Sequence, residues 1–146
     1  MDHFVDNWPL GREAVVELLK EHAIQPTQQR VEIAQILFAR PQHLSADQVL
    51  AAVNADGSLV SKATVYNTLG LFADKGLVRE VIVDPNRVFY DSNTSTHHHF
   101  YNVDTGALTD IDADEVAISG LPSLPAGTLA EGVEVIIRVR QERGDR

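Results

Sequence analysis

Cysteine is absent from this chain of 146 residues. Its absence excludes disulfide bridges, thiolate zinc sites and cysteine nucleophiles, so a bound metal must use nitrogen and oxygen ligands. No apolar run reaches the length of about 18 residues that a membrane-spanning helix needs. The first residues also lack the basic-then-apolar pattern of a signal peptide. We therefore expect a cytoplasmic protein that has no membrane partner.

Positive charge is scarce. The chain has 12 lysines and arginines against 21 acidic residues, which gives a net charge of −9. Residues 1–91 and 92–146 each carry more acidic than basic side chains. Phosphate binding usually draws on a basic surface, so composition alone argues against a nucleic-acid partner. A DNA-binding hypothesis must therefore depend on a motif.

Three consecutive histidines, His97 to His99, are the most informative feature that is present. Side chains alternate between the two faces of a strand, so His97 and His99 share one face and His98 lies on the other. Two imidazoles on one face can bind a transition metal. The run alone leaves open whether that metal is catalytic, structural or regulatory.

The first 91 residues show helical periodicity followed by a period of two. Four helices are predicted, over residues 9–22, 28–39, 46–54 and 62–75. Suitable N-caps precede the last three, at Thr27, Ser45 and Ser61, and Gly76 can end the fourth. Two strands, 77–83 and 87–91, then form a hairpin. This order predicts a winged helix-turn-helix domain over residues 1–91.

The remaining residues predict a second, smaller domain. A polar hinge at 92–96 precedes a domain over 97–146. Its expected elements are strands at 97–103, 107–111 and 133–140, with one buried face on the last, a short helix at 112–119 and a loop at 121–127. A domain of this size is marginal alone, so we expect it to dimerise through its sheet. The fold class is α+β: an N-terminal winged helix-turn-helix domain with a small C-terminal α/β dimerisation domain.

The fourth predicted helix has an outer face of small and polar residues that can approach a major groove closely. Asn67 can read adenine, and Tyr66 can contact a thymine methyl group or a phosphate, with Thr64 beside them. Arg30 and Lys62 are candidate phosphate contacts, as are Lys75 and Arg79. An ordinary solvated helix face is the alternative, and the preceding helix and following wing favour DNA binding.

Four motifs occur in an order and spacing that resemble the ferric uptake regulator family of dimeric, metal-responsive transcription factors. They are Pro26 to Arg30, His43 to Ala46, Ala63 to Leu69 and the histidine run, and the resemblance covers about residues 9 to 143. Residues 96–101 and the loop at 121–127 look most like the iron response regulator branch, which lacks the family's structural zinc cysteines.

The resemblance implies a metal site with five ligands: His43, Asp91, His97, His99 and Asp110. This nitrogen and oxygen set suits Mn(II), Fe(II) or Zn(II). Because the ligands come from both predicted domains, the cation would set the spacing of two recognition helices in a homodimer. The implied partner is a double-stranded DNA operator, expected to be an AT-rich palindrome, and the implied role is transcriptional repression in iron homeostasis.

Departures from the family pattern leave alternatives open. Asn102 and Thr105 stand where many members carry zinc-binding cysteines, so no structural zinc-cysteine site is expected. The iron response regulator branch is associated with haem sensing, which makes His97, His98 and His99 candidate haem contacts. Aspartates at positions 91 and 110 instead resemble a peroxide-sensing branch that uses Fe(II).

Two further hypotheses come from other classes of protein. A small metal-dependent hydrolase could use the same histidines and aspartates, but it would need an open coordination position and a substrate pocket. The chain offers no general base beyond the ligands, so we expect a protein that is not an enzyme. A protein-interaction module would bind neither metal nor DNA.

Overall fold

The computed structural model describes residues 8–55, 57, 59–95 and 97–143. It divides the chain into two compact units, residues 1–94 and 95–146. Parts of three predicted features lie outside the described residues: the start of the domain at 1–91, the hinge at 92–96 and the end of the domain at 97–146. No helix of the described ranges is long and apolar enough to cross a membrane.

Unit 1 contains the four expected helices: α1 (Arg12–Glu21), α2 (Gln28–Leu37), α3 (Ala46–Val53) and α4 (Lys62–Asp74). The predicted caps are confirmed, because Thr27 and Ser61 each accept a backbone N–H of the first turn and Ser45 forms a capping box with Gln48. Gly76 has a φ of +77°, as a residue that follows a helix end often requires. The three side-chain caps fix where α2, α3 and α4 begin, and Gly76 follows the end of α4.

Helix α1 begins at Arg12, later than the predicted start at residue 9. The reason is a tertiary contact: the Leu10 amide donates to the Phe38 carbonyl at 3.1 Å, and the Trp8 ring stacks on the Phe38 ring. The preceding segment is therefore held against the end of α2 instead of joining α1. The helices enclose one apolar core, whose fully buried members include Val15, Leu19, Val31, Val49, Leu69 and Phe72.

A three-stranded antiparallel sheet completes unit 1, with β1 (His43–Ser45), β2 (Arg79–Asp84) and β3 (Arg87–Asp91) in the order β1-β3-β2. Strands β2 and β3 are the predicted hairpin that forms the wing. Strand β1 was not predicted, because three residues are too few to show a period of two. Its register places the Cα of His43 opposite that of Asp91.

Unit 2 is built on β4 (His97–Asn102), β5 (Leu108–Asp112) and β6 (Ile136–Val139), in the order β5-β4-β6. Strand β4 pairs antiparallel with β5 and parallel with β6. The α+β class with an N-terminal winged helix is thus confirmed.

Two details of unit 2 differ from expectation. The helix predicted at 112–119 is wrong: only a 3₁₀ turn, Ala113–Glu115, forms, and the Asp112 side chain makes no capping bond. Gly120 and Pro122 leave too short a segment to offset the cost of helix nucleation. The expected buried face of the last strand is not buried within this unit, since Val133 and Ile137 are 41% and 40% exposed.

Candidate metal centre and nucleic-acid interface

Two of the predicted metal ligands meet in unit 1. The β1–β3 pairing brings His43 Nε2 to 3.5 Å from Asp91 Oδ2, and the two side chains are 15% and 2% exposed. The other oxygen, Asp91 Oδ1, accepts the Asn93 backbone N–H at 2.9 Å. That bond fixes the orientation of a buried carboxylate and directs its second oxygen towards the imidazole.

The other three predicted ligands meet in unit 2. His97 and His99 share one face of β4, and the β4–β5 register places Asp110 opposite His99 on that face. Both Nε2 atoms lie 3.3 Å from the same oxygen, Asp110 Oδ1. The sheet therefore brings two imidazoles and one carboxylate together, with their ligand atoms within 4.8 Å of one another.

Polar contacts at Nδ1 indicate where the protons of these two imidazoles lie. The Nδ1 atom of His97 lies 2.7 Å from the Ser95 carbonyl oxygen. A carbonyl can only accept, so Nδ1 carries the proton and the neutral ring has a lone pair at Nε2. The Nδ1 atom of His99 faces the Glu134 carboxylate at 3.6 Å, which favours the same tautomer.

Two imidazole lone pairs and one carboxylate oxygen thus converge in unit 2. Such a set repels itself unless a proton or a cation lies among its members, and nitrogen with oxygen donors suits Mn(II), Fe(II) or Zn(II). His97 and His99 are 5% and 0% exposed, whereas the Asp110 side chain is 48% exposed. The residues therefore fit a divalent metal, with the carboxylate on the solvent side.

His98 lies on the opposite face of β4 and is 3% exposed. Its Nδ1 atom accepts the backbone N–H of Val135 at 2.9 Å. The proton of the neutral ring is then on Nε2, so neither nitrogen offers a free lone pair. His98 therefore lies in a different environment from His97 and His99, whose Nε2 atoms converge on Asp110.

Glu134 is a residue of this site that the sequence did not reveal. It lies in the strand predicted at 133–140 and belongs to none of the four motifs that carry the family resemblance. Its position beside His99 follows from the parallel β4–β6 register, in which His99 is opposite Ile136. Pairing between strands so distant in sequence cannot be inferred from spacing alone.

Four of the seven DNA-binding candidates lie on α4, while Lys75 directly follows that helix and Arg79 begins β2. Val65, Leu69 and Phe72 form its apolar buried stripe, while Lys62 and Asn67 are exposed. Thr64 is partly buried, and its Oγ1 accepts a hydrogen bond from Ser61 at the start of the helix. Arg30, the remaining candidate, lies on α2, where its guanidinium donates to the Gln25 carbonyl at 3.0 Å.

Tyr66 has the most specific surroundings of these candidates. It is 42% exposed, and its hydroxyl donates to Asp47 Oδ1 at 3.1 Å. The Lys62 ammonium lies 5.5 Å from the centre of its ring. The phenol is therefore oriented by contacts within unit 1 and remains accessible from solvent.

A winged helix-turn-helix unit and a sheet that brings imidazoles and a carboxylate together define a winged-helix protein with a candidate metal site. The chain belongs to the ferric uptake regulator family, whose model matches residues 12–120. The family resemblance inferred from the motifs is therefore confirmed. The assignment to the iron response regulator branch stays a prediction.

Individual relatives agree with this membership. The peroxide-responsive repressor PerR of Staphylococcus aureus is 32% identical over 98 residues, which are 67% of this chain and 66% of that protein. The match thus spans slightly less than two thirds of the relative's length. The ferric uptake regulator of Pseudomonas aeruginosa, solved with manganese, has a TM-score of 0.65 and 26% identity over 87% of this chain and 97% of its own. That of Francisella tularensis, solved with iron, has a TM-score of 0.67 and 25% identity over 82% and 92%.

Proposed function

We propose that this protein is a homodimeric DNA-binding transcriptional repressor that responds to a divalent transition metal and acts in iron homeostasis in the cytoplasm. The observation that carries the proposal is the convergence of His97 Nε2, His99 Nε2 and Asp110 Oδ1. The winged-helix unit supplies the means of binding DNA. Similar regulators have been solved with manganese and with iron, which supports a metal of this kind.

We propose further that His43 and Asp91 bind the same cation as His97, His99 and Asp110. Strand β3 ends at Asp91 and β4 begins at His97, so six peptide steps, at most about 20 Å of chain, join the two ligand sets. Two carboxylates also balance the charge of one divalent ion. The bound metal would supply coordination bonds that hold all five side chains in one geometry.

Such a metal would act on DNA affinity without contacting DNA. Ligands from both units would restrain the orientation of the winged helix relative to the sheet. In a dimer, that orientation sets the distance between the two α4 helices, which must match successive major grooves. The bound metal would therefore change the population of conformations that fit the operator.

The proposed partner is a double-stranded operator with an AT-rich palindrome. Helix α4 would enter the major groove with Asn67 and Tyr66 towards the bases, while Lys62 and Arg30 contact phosphates. Because the net charge is −9, non-specific attraction is weak. Tight binding then requires both half-sites and a correctly spaced dimer.

A pair of matched variants tests the metal proposal. Asp110→Asn removes a converging carboxylate charge, whereas Asp114→Asn makes the same change at an exposed position of the 3₁₀ turn. We expect calorimetry to show tight Mn(II) binding in the wild type and in Asp114→Asn, and its loss in Asp110→Asn. His43→Ala should weaken binding as well. Unchanged affinity in Asp110→Asn would overturn the ligand set, and unchanged affinity in His43→Ala would confine the site to unit 2.

DNA binding is tested on a duplex selected from a random pool, by fluorescence anisotropy with the metal present and after chelation. The proposal predicts that chelation changes the affinity of the wild type and leaves that of Asp110→Asn unchanged. Equal affinity of the wild type in both states would contradict metal control of DNA binding.

A peroxide-sensing function is the second candidate. The similarity to a protein named as a peroxide-responsive repressor favours it, as do aspartates at both acidic ligand positions. Treatment of the Fe(II) form with hydrogen peroxide should then add one oxygen atom to His97 or His99, detectable by peptide mass spectrometry. The Mn(II) form is the control. Membership in a family of regulators argues against the metal-dependent hydrolase.

A further inference from the structure

Glu134 lies beside the metal set but is not one of the proposed ligands. Its Oε1 atom is 3.6 Å from His99 Nδ1, the ring nitrogen that faces away from Asp110. The His99 side chain is 0% exposed and that of Glu134 is 26% exposed. The buried imidazole of His99 thus has one carboxylate near each of its two nitrogens.

The backbone next to Glu134 is held firmly against β4. The Val135 carbonyl accepts the His99 N–H at 3.1 Å, and the Val135 N–H donates to His98 Nδ1 at 2.9 Å. Both polar groups of one peptide residue are therefore bonded to two consecutive residues of β4. These bonds fix the position from which the Glu134 side chain reaches His99.

The chemistry of a metal-bound imidazole explains why a carboxylate belongs there. Coordination through Nε2 requires that the ring proton lie on Nδ1, and the cation makes that N–H a stronger donor. Histidine ligands commonly donate this proton to a carboxylate, which fixes the ring orientation and raises the basicity of the coordinating nitrogen. At 3.6 Å the present contact is electrostatic, and coordination at Nε2 favours its shortening into a hydrogen bond.

We infer that Glu134 is a positioning residue of the metal centre, which orients His99 through Nδ1 and links cation binding to the start of β6. The inference rests on the proposed metal-binding function. His98 contributes on the other face of the same strand, because it holds the Val135 amide in place. Occupation of the site should therefore stabilise Glu134, Val135 and β6, the edge strand that follows them.

The test compares Glu134→Ala and Glu134→Gln with Glu131→Gln, a matched change at an exposed glutamate of the same segment. Loss of a carboxylate of this kind typically costs 10–100-fold in metal affinity, so we expect about that loss of Mn(II) affinity in Glu134→Ala. Glutamine retains an oxygen that can accept the His99 proton, so Glu134→Gln should recover part of the affinity. Glu131→Gln should match the wild type.

Two readouts separate positioning from a general loss of structure. The visible spectrum of the Co(II) form should change in Glu134→Ala, because the altered ring orientation changes the ligand field. Hydrogen exchange at the Val135 amide should slow on Mn(II) binding in the wild type, and by less in Glu134→Ala. Circular dichroism of the metal-free variants checks that the fold is retained, and Glu134→Gln serves as the test if the alanine variant is unfolded.

The outcomes distinguish this inference from the function on which it rests. If the wild type binds Mn(II) tightly and both Glu134 variants bind equally well, the positioning role is wrong and the metal site stands. If the wild type binds none of Mn(II), Fe(II) and Zn(II), the proposed function itself fails.

Discussion

The Tyr66 hydroxyl donates a hydrogen bond to the Asp47 carboxylate at 3.1 Å, which joins the middle of α4 to the first turn of α3. The contact orients the phenol that is proposed to meet DNA. It also places a negative charge beside the surface that must approach phosphates. The Asp47 carboxylate should therefore favour DNA binding by orienting Tyr66 and oppose it by repelling phosphates. Mutation can separate these two effects.

Asn67→Ala tests the base-reading role of α4. We expect specific binding to weaken by about 1–3 kcal/mol, because a bidentate contact to adenine is lost. Affinity for a scrambled duplex of the same length should stay unchanged, since Asn67 carries no charge. Anisotropy titrations of both duplexes give the two values, and an unaltered preference for the selected sequence would contradict this assignment.

Asp47→Asn tests the electrostatic effect. The amide can still accept the Tyr66 hydrogen bond, so the orientation of the phenol is retained while the charge is removed. We expect a several-fold gain in affinity at low salt for selected and scrambled duplexes alike, and a smaller gain at high salt, because screening weakens the repulsion. The control is Asp74→Asn, the same change at the far end of α4. Equal gains in both variants would show that net charge, and not the Asp47 position, is responsible.

Tyr90 gives a prediction about alkaline stability. Burial raises the pKa of its phenol above the usual 10.0, and the nearby Glu80 and Tyr66 raise it further. The folded state thus favours the neutral phenol, so this contribution to stability is complete below pH 10 and is lost as the pH rises through the folded pKa. When the pH is raised from about 8 to values above 10, the free energy of unfolding of Tyr90→Phe should fall by less than that of the wild type. Urea midpoints at each pH measure the difference, and parallel losses in the two proteins would refute it.

Local sequence signals predicted unit 1 closely. Thr27, Ser45 and Ser61 cap the expected helices because capping depends on residues within one turn. The face shared by His97 and His99 was also predictable, since it follows from strand alternation alone. Strand β1 was missed because its three residues form a strand only through pairing with β3.

Long-range pairing and proton positions could not be read from the sequence. The place of Glu134 depends on β6 lying parallel to β4, and the proton on His97 depends on one carbonyl, that of Ser95. The helix expected at 112–119 failed for a related reason. A residue type that often caps helices, such as Asp112, does not start a helix when glycine and proline closely follow and no packing offsets the cost of nucleation.

His98 separates the haem hypothesis from a structural role. Its Nδ1 atom accepts the Val135 amide, so axial ligation of haem would require rearranging a buried contact between β4 and the start of β6. His98→Asn keeps an acceptor near the same place, whereas His98→Ala leaves a buried N–H unsatisfied and should cost about 1–3 kcal/mol of stability. We expect His98→Asn to retain the fold and Mn(II) binding. Titration with hemin should then give the same Soret spectrum for His98→Asn and the wild type, and a Soret shift that only the wild type shows would make His98 a haem ligand.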